Sequence, residues 1–162
     1  MPKWVLEDDC LAPAAKMTIK YTGPNPMKLY KEVEPMLERI FDVSGKDIWE
    51  RDFRWDTTEE PRSFFIRLYV DKGLDQRSGL LIEIIFQGKQ PSDPLKEGSM
   101  TITINGRLKT EFEIRLPMYK TIWWFYSYFF YGKVRRGYLK LCNDWLERLW
   151  REFRTFLNMP NP

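Results

Sequence analysis

Between Ile48 and Leu116 the chain alternates between apolar and polar residues, and that rhythm limits its fold more than any other feature. Ile48–Trp55 sends Trp49, Arg51, Phe53 and Trp55 one way and Glu50, Asp52 and Arg54 the other. Phe64–Val70 and Leu80–Phe86 follow, joined by DKGLDQRSG. After the turn-rich GKQPSDPLKEGS come Met100–Ile104 and Arg107–Leu116, flanking Asn105-Gly106. Period-two alternation is the signature of a strand, and Asn-Gly between two such runs predicts a tight hairpin. In the last run Leu108, Thr110, Phe112 and Ile114 oppose Lys109, Glu111 and Glu113. Five consecutive strands joined by short connections make an antiparallel sheet, whose apolar face needs a cover.

The flanking segments supply that cover. Lys16–Tyr21 alternates as a sixth strand, with Met17, Ile19 and Tyr21 on one side. From Met27 to Phe41, Leu29, Val33, Met36, Leu37, Ile40 and Phe41 recur at helical spacing, with Pro35 expected to kink or divide the helix. Over 134–157 a second helix gathers Tyr138, Leu141, Cys142, Trp145, Leu149, Phe153 and Phe156 on one side, widened by Trp150 and Leu157. MPKWVLEDDCLAPAA has no period and reads as an irregular arm. The expected organisation is an arm over 1–15, a single domain over 16–157 and a short tail over 158–162. At 162 residues the chain suits one core.

The fold expected is α+β, a curved antiparallel sheet of about six strands gripping a long C-terminal amphipathic helix. This order of elements resembles the START-like, or Bet v 1-like, helix-grip superfamily, with six strands where seven are usual. The resemblance implies a cavity between sheet and helix that commonly holds an apolar ligand. Trp49, Phe53 and Trp55 would line it. Arg51 would point inward with them, and a buried guanidinium needs an acceptor. That acceptor is Glu34 or Glu38 of the first helix or the anionic end of a ligand, unless Arg51 lies near a strand end and reaches water.

Several chemistries are excluded or left without support. There is no histidine, which removes Ser-His-Asp and Cys-His nucleophiles and HExxH zinc sites. Neither GxxxxGK[ST] nor GxGxxG is present. The acidic pairs, such as Asp8-Asp9 and Glu59-Glu60, fall in loops or on polar faces. We therefore expect no catalytic constellation, no metal and no cofactor. Cys10 and Cys142 lie far apart without CxxC spacing; they could pair, but free thiols in a reducing cytosol are expected, as is the absence of a secretory signal. Scarce glutamine with abundant Lys, Arg and Glu would suit a thermophile.

The run TIWWFYSYFFY, residues 121–131, packs eight aromatic side chains into eleven positions. Three placements are open: the buried start of the last helix, an extra edge strand, or a lipid surface. At such a surface Trp123, Trp124, Tyr126, Phe129, Phe130 and Tyr131 would sit at headgroup level. Lys133, Arg135 and Arg136 would meet anionic headgroups, each worth about 1 kcal/mol. Residues 132–162 hold seven Lys/Arg against three Asp/Glu. That basic surface, Lys133, Arg135, Arg136, Lys140, Arg151 and Arg154, could instead follow a nucleic-acid backbone or dock on a ribosome. The sheet's second face, with Phe65, Tyr69, Leu81 and Ile85 around Arg67 and Glu83, is too apolar for open water. It predicts a covering element or a homo-oligomer. The combined expectation is a cytoplasmic, non-enzymatic binding module for an apolar or anionic amphipathic ligand, touching lipid headgroups at the inner membrane surface.

Overall fold

The computed structural model describes residues 3–93, 95–113, 121–122, 124–125, 128 and 131–159. Its elements are β1 (Lys3–Asp9), β2 (Met17–Pro24), α1 (Met27–Phe41), a 3-10 turn (Gly45–Asp47), β3 (Ile48–Asp56), β4 (Arg62–Gly73), β5 (Ser78–Gln90), β6 (Glu97–Glu113) and α2 (Gly132–Phe156). The architecture is α+β: among the described residues, one open antiparallel sheet of six strands with α1 and α2 on one face.

Strand β6 organises the sheet. It runs 17 residues without a break, straight through Asn105-Gly106. The expected hairpin is therefore absent. Asn105 pairs with Glu83 and Gly106 with Ile82, and no described glycine has a positive φ. Gly106 serves close approach instead of a turn. A Cβ there would lie 2.9 Å from Ile82 Cδ1, 3.1 Å from Leu146 Cδ1 and 3.2 Å from Cys142 Sγ. Helix α2 crosses the sheet directly above it.

β5 lines one side of β6, and the other side is shared end to end by β2 and β1. The strand order is β1-β6-β5-β4-β3, with β2 beside the first half of β6. The N-terminal residues expected as an irregular arm are thus strand β1 from Lys3 to Asp9. An edge strand has one neighbour and tolerates charge on both faces, which erased its alternation. Two misreadings offset each other: the strand count is six, with one strand gained and two merged.

The inner face follows the expected parity. Phe64, Ile66, Leu68 and Val70 of β4, with Leu80, Ile82, Ile84 and Phe86 of β5, are buried against the helices. Helix α1 contributes Leu29, Val33, Leu37, Ile40 and Phe41 and stays continuous through Pro35. Pro35 lies on its exposed side. Helix α2 buries Cys142, Leu146, Leu149 and Phe153, while Leu141 remains 37% exposed. The buried stripe is rotated toward Leu146 relative to the expected one.

Cys10 and Cys142 form a disulfide, correcting the expectation of free thiols. Cys10 directly follows β1, and its N–H donates to Gly106 O at 2.9 Å. Cys142 faces the same spot from α2, which brings the two Cα atoms to 5.9 Å. That separation lies within the range a disulfide can span. Paired cysteines no longer speak for a reducing compartment, because such bonds persist in oxidising compartments and inside hyperthermophiles.

Candidate functional site

The start of α2 is fixed to the sheet by a chain of buried polar groups. Asp75, in the β4–β5 connection, accepts the N–H groups of Arg77 and Ser78 on Oδ1, both at 2.7 Å. Its Oδ2 accepts the hydroxyls of Tyr131 at 2.8 Å and Tyr138 at 2.9 Å. Ser78 Oγ lies 2.5 Å from the Tyr131 oxygen and 2.9 Å from Thr110 Oγ1. Arg135 Nε donates to Thr110 Oγ1 at 3.0 Å. Its Nη2 lies 2.8 Å from Asp8 Oδ2, a charge contact whose N–H is not aligned for a hydrogen bond.

This chain is structural. Burial works against the charge on Asp75, but its four hydrogen bonds outweigh that and hold the carboxyl below its ordinary range. Burial pushes Tyr131 up to about 12, opposed by the Ser78 hydrogen bond and reinforced by Asp75. Tyr131 therefore stays protonated near neutrality and cannot act as a base for Ser78. Two expectations are corrected here. Tyr131 is only 5% exposed and so does not face a lipid surface, and Arg135 is largely buried rather than part of the basic surface. Both are drawn inward because Ser78 and Thr110 on the inner face need polar partners.

Beyond that anchor the aromatic run projects outward. Thr121, Ile122, Trp124 and Phe125 are helical, and Tyr128 and Tyr131 lie in wider π turns, so the described positions favour helix over strand. Trp123, Tyr126, Phe129 and Phe130 lie outside the described residues. Ile122, Trp124, Phe125 and Tyr128 are 61%, 50%, 51% and 68% exposed. Trp124 stacks on Tyr128 at 5.6 Å and meets Phe125 edge-on at 5.1 Å. Trp124, Tyr128, Gly132, Arg136 and Leu139 line one recess of about 290 Å³ against Leu6 and Asp8 of β1. Aromatic and cationic side chains thus share a flank.

The cations divide into two groups. Lys133, Arg136 and Lys140 are exposed and form no ion pair among the described residues. Further along, Arg151 pairs with Glu147 at 3.7 Å, and Arg154 lies 4.8 Å over the Trp150 ring. The basic stripe is therefore concentrated at the start of α2, next to the aromatics.

The four residues expected to line an interior cavity are split by a β-bulge. Pairing with β4 shifts between Glu50 and Asp52, which reverses the facing of the strand. Phe53 and Trp55 remain on the inner face: Phe53 meets Tyr30 at 5.9 Å and Trp55 stacks on Phe64 at 6.1 Å. Trp49 and Arg51 turn to the outer face instead. There Trp49 stacks on Tyr69 at 5.6 Å, and the Arg51 guanidinium lies 5.7 Å over the same ring. Neither Glu34 nor Glu38 is its partner; Arg51 Nη1 donates to Tyr69 OH at 3.4 Å. Beside them Ile82, Phe86, Leu146, Leu149 and Phe153 are fully buried, and Gly106 is in close contact with α2.

On that outer face Trp49, Arg51, Tyr69, Glu83, Asn105 and Arg107, closed off by Leu81, line a groove of about 540 Å³. Tyr69 OH donates to Glu83 Oε2 at 2.6 Å and Asn105 Nδ2 to Oε1 at 3.0 Å. Arg67 sits beside them, 3.7 Å from Asp52 and 4.0 Å from Glu83. Residues 3–9 of the expected arm do not cover this face, being a strand within the sheet.

No family model matches the sequence, and no curated protein matches it.

Proposed function

We propose that the protein is a non-enzymatic binding module that lies on an anionic lipid surface through the aromatic–basic start of α2. One observation carries this reading: four large apolar side chains, Ile122, Trp124, Phe125 and Tyr128, are at least half exposed within seven positions. Single exposed apolar residues are ordinary, but a contiguous cluster is not. Beside it, Lys133, Arg136 and Lys140 are exposed cations with no ion pair among the described residues. Among the described residues no helix is long and apolar enough to cross a membrane, so the contact is with the surface. The likeness to helix-grip proteins is retained as an architectural parallel, with the ligand moved from the interior to this end.

Magnitudes decide the form of the test. Three cations contribute about 3 kcal/mol to attraction for anionic headgroups. Burying the exposed remainder of four large side chains contributes at least as much. Binding then needs both terms and survives moderate salt. Purified protein is sedimented with anionic and with neutral vesicles, at low and moderate salt. Cosedimentation with anionic vesicles is expected to persist at moderate salt and to be lost in a Trp124→Ala, Phe125→Ala variant that remains folded. An absence of sedimentation rejects the reading. Binding to total RNA that collapses with added salt, without vesicle binding, transfers the function to the cations alone.

A further inference from the structure

The outer-face groove lies on the opposite face of the sheet from α2 and offers a different chemistry. Its wall is aromatic, with Trp49 stacked on Tyr69 and still 42% exposed. Its floor is rich in acceptors. Glu83 accepts one hydrogen bond on each oxygen, from Asn105 and Tyr69, which leaves lone pairs on both. At its margins stand two guanidiniums, Arg51 and Arg107, with no carboxylate partner among the described residues. Against the single charge of Glu83 they leave the lining one unit positive.

The register accounts for this juxtaposition. Trp49, Tyr69, Glu83 and Asn105 occupy one cross-strand row over β3, β4, β5 and β6. At about 4.8 Å per strand the row is roughly 14 Å long. Arg107 lies two residues beyond Asn105, on the same face. Arg51, two residues after Trp49, shares its face, and the bulge at Glu50–Asp52 turns Phe53 and Trp55 to the opposite one. Bulges commonly re-aim a side chain beside a site.

We propose that this groove binds a free nucleoside monophosphate, or a planar heteroaromatic anion of the same chemistry. The ring stacks on the exposed face of Trp49, as bases stack on aromatic side chains. Its N–H edge donates to Glu83, and Arg107 and Arg51 hold the phosphate. An apolar guest would offer no anion to Arg107 or to Arg51, whose guanidinium has the Tyr69 hydroxyl, and no donor to the Glu83 lone pairs. A simple inorganic anion would leave the aromatic wall unused. Only a ligand joining a flat ring with N–H donors to an anionic group matches all three surfaces.

The test is titration of the intact protein with AMP, GMP, CMP and UMP, followed by calorimetry and by NMR of the indole N–H assigned through Trp49→Phe. The matching nucleosides and inorganic phosphate are titrated in parallel. At least one nucleotide is expected to bind and shift the Trp49 signal, with its nucleoside and phosphate alone each at least about tenfold weaker. Arg107→Gln and Arg51→Gln are each expected to raise the dissociation constant about tenfold or more, as loss of a charged hydrogen bond does. Arg54→Gln, outside the groove, is expected to leave it unchanged. These side chains are partly exposed, so an unchanged circular dichroism spectrum and thermal midpoint establish folding. No nucleotide binding at millimolar concentration overturns the proposal. So does phosphate binding as well as the nucleotide, or nucleotide affinity unaffected in both arginine variants.

Discussion

Arg135 and Asp75 are joined by a line of three hydroxyls. Arg135 donates to Thr110 and Tyr131 donates to Asp75. The two contacts of Ser78 between them then have one consistent direction, Thr110 to Ser78 to Tyr131. Each hydroxyl donates once and accepts once, from a cation at one end to an anion at the other. Thr110 and Ser78 are almost fully buried, so water cannot replace a missing member.

Thr110→Val keeps the shape but removes the first hydroxyl of this line, taking the acceptor from Arg135 Nε and one of two partners from Ser78 Oγ. A loss of about 1–3 kcal/mol is expected. Urea unfolding would show it as a lower midpoint at unchanged slope. A midpoint equal to the parent's would show that the line contributes nothing.

Acid should loosen the same end first. The carboxyl of Asp75 is held below its ordinary value, so its contribution is complete above about pH 4, the unfolded value. It is lost as pH falls from there through the folded value. Asp75→Asn removes this dependence. Its stability, measured from pH 6 to pH 2, should fall less steeply than the parent's, although it starts lower. Parallel curves would refute the assignment.

Gly106→Ala places a methyl between β6 and α2 where Ile82, Leu146 and the Cys142 sulfur already sit within 3.2 Å. Overpacking of about 1–3 kcal/mol is expected. Were Asn105-Gly106 a turn, Asn105→Gly would be harmless. Within a strand it costs backbone entropy and the hydrogen bond to Glu83. Thermal melts of both variants compare the two.

The disulfide closes a long loop and should stabilise the fold by about 2–5 kcal/mol. Cys10→Ser with Cys142→Ala should lower the unfolding free energy by that amount. With both sulfurs buried, the parent should resist mild reductant until it unfolds. Rapid reduction of the folded protein would contradict this burial.

The sheet was legible in the sequence because alternation over β4 and β5 reports burial directly. Ile66, Leu68, Ile82 and Ile84 sit where their period put them. What escaped had non-local causes. Gly106 mimics a turn signal, but its reason lies in α2, some forty residues later. Arg51 alternates smoothly with Trp49 and Phe53, and a single inserted residue in the pairing with β4 parts it from Phe53. Cys10 and Cys142 are separated by 132 residues, and no spacing rule reaches that far. Tyr131 looked like its aromatic neighbours, and only Asp75 and Ser78 in the folded chain set it apart. Exposure of Trp124 and Tyr128 beside Arg136 could not be read from composition, because a buried helix start has the same residues.

The bond between Cys10 and Cys142 also alters how the molecule would bear load. Tension on the two ends enters the sulfur–sulfur link and bypasses everything enclosed between them, including β2 to β6 and helix α1. Only β1 and the second half of α2 lie on the stretched path. Pulled from its termini, the oxidised protein should therefore yield two short extensions and then stiffen, its sheet shielded as if inside a closed shackle.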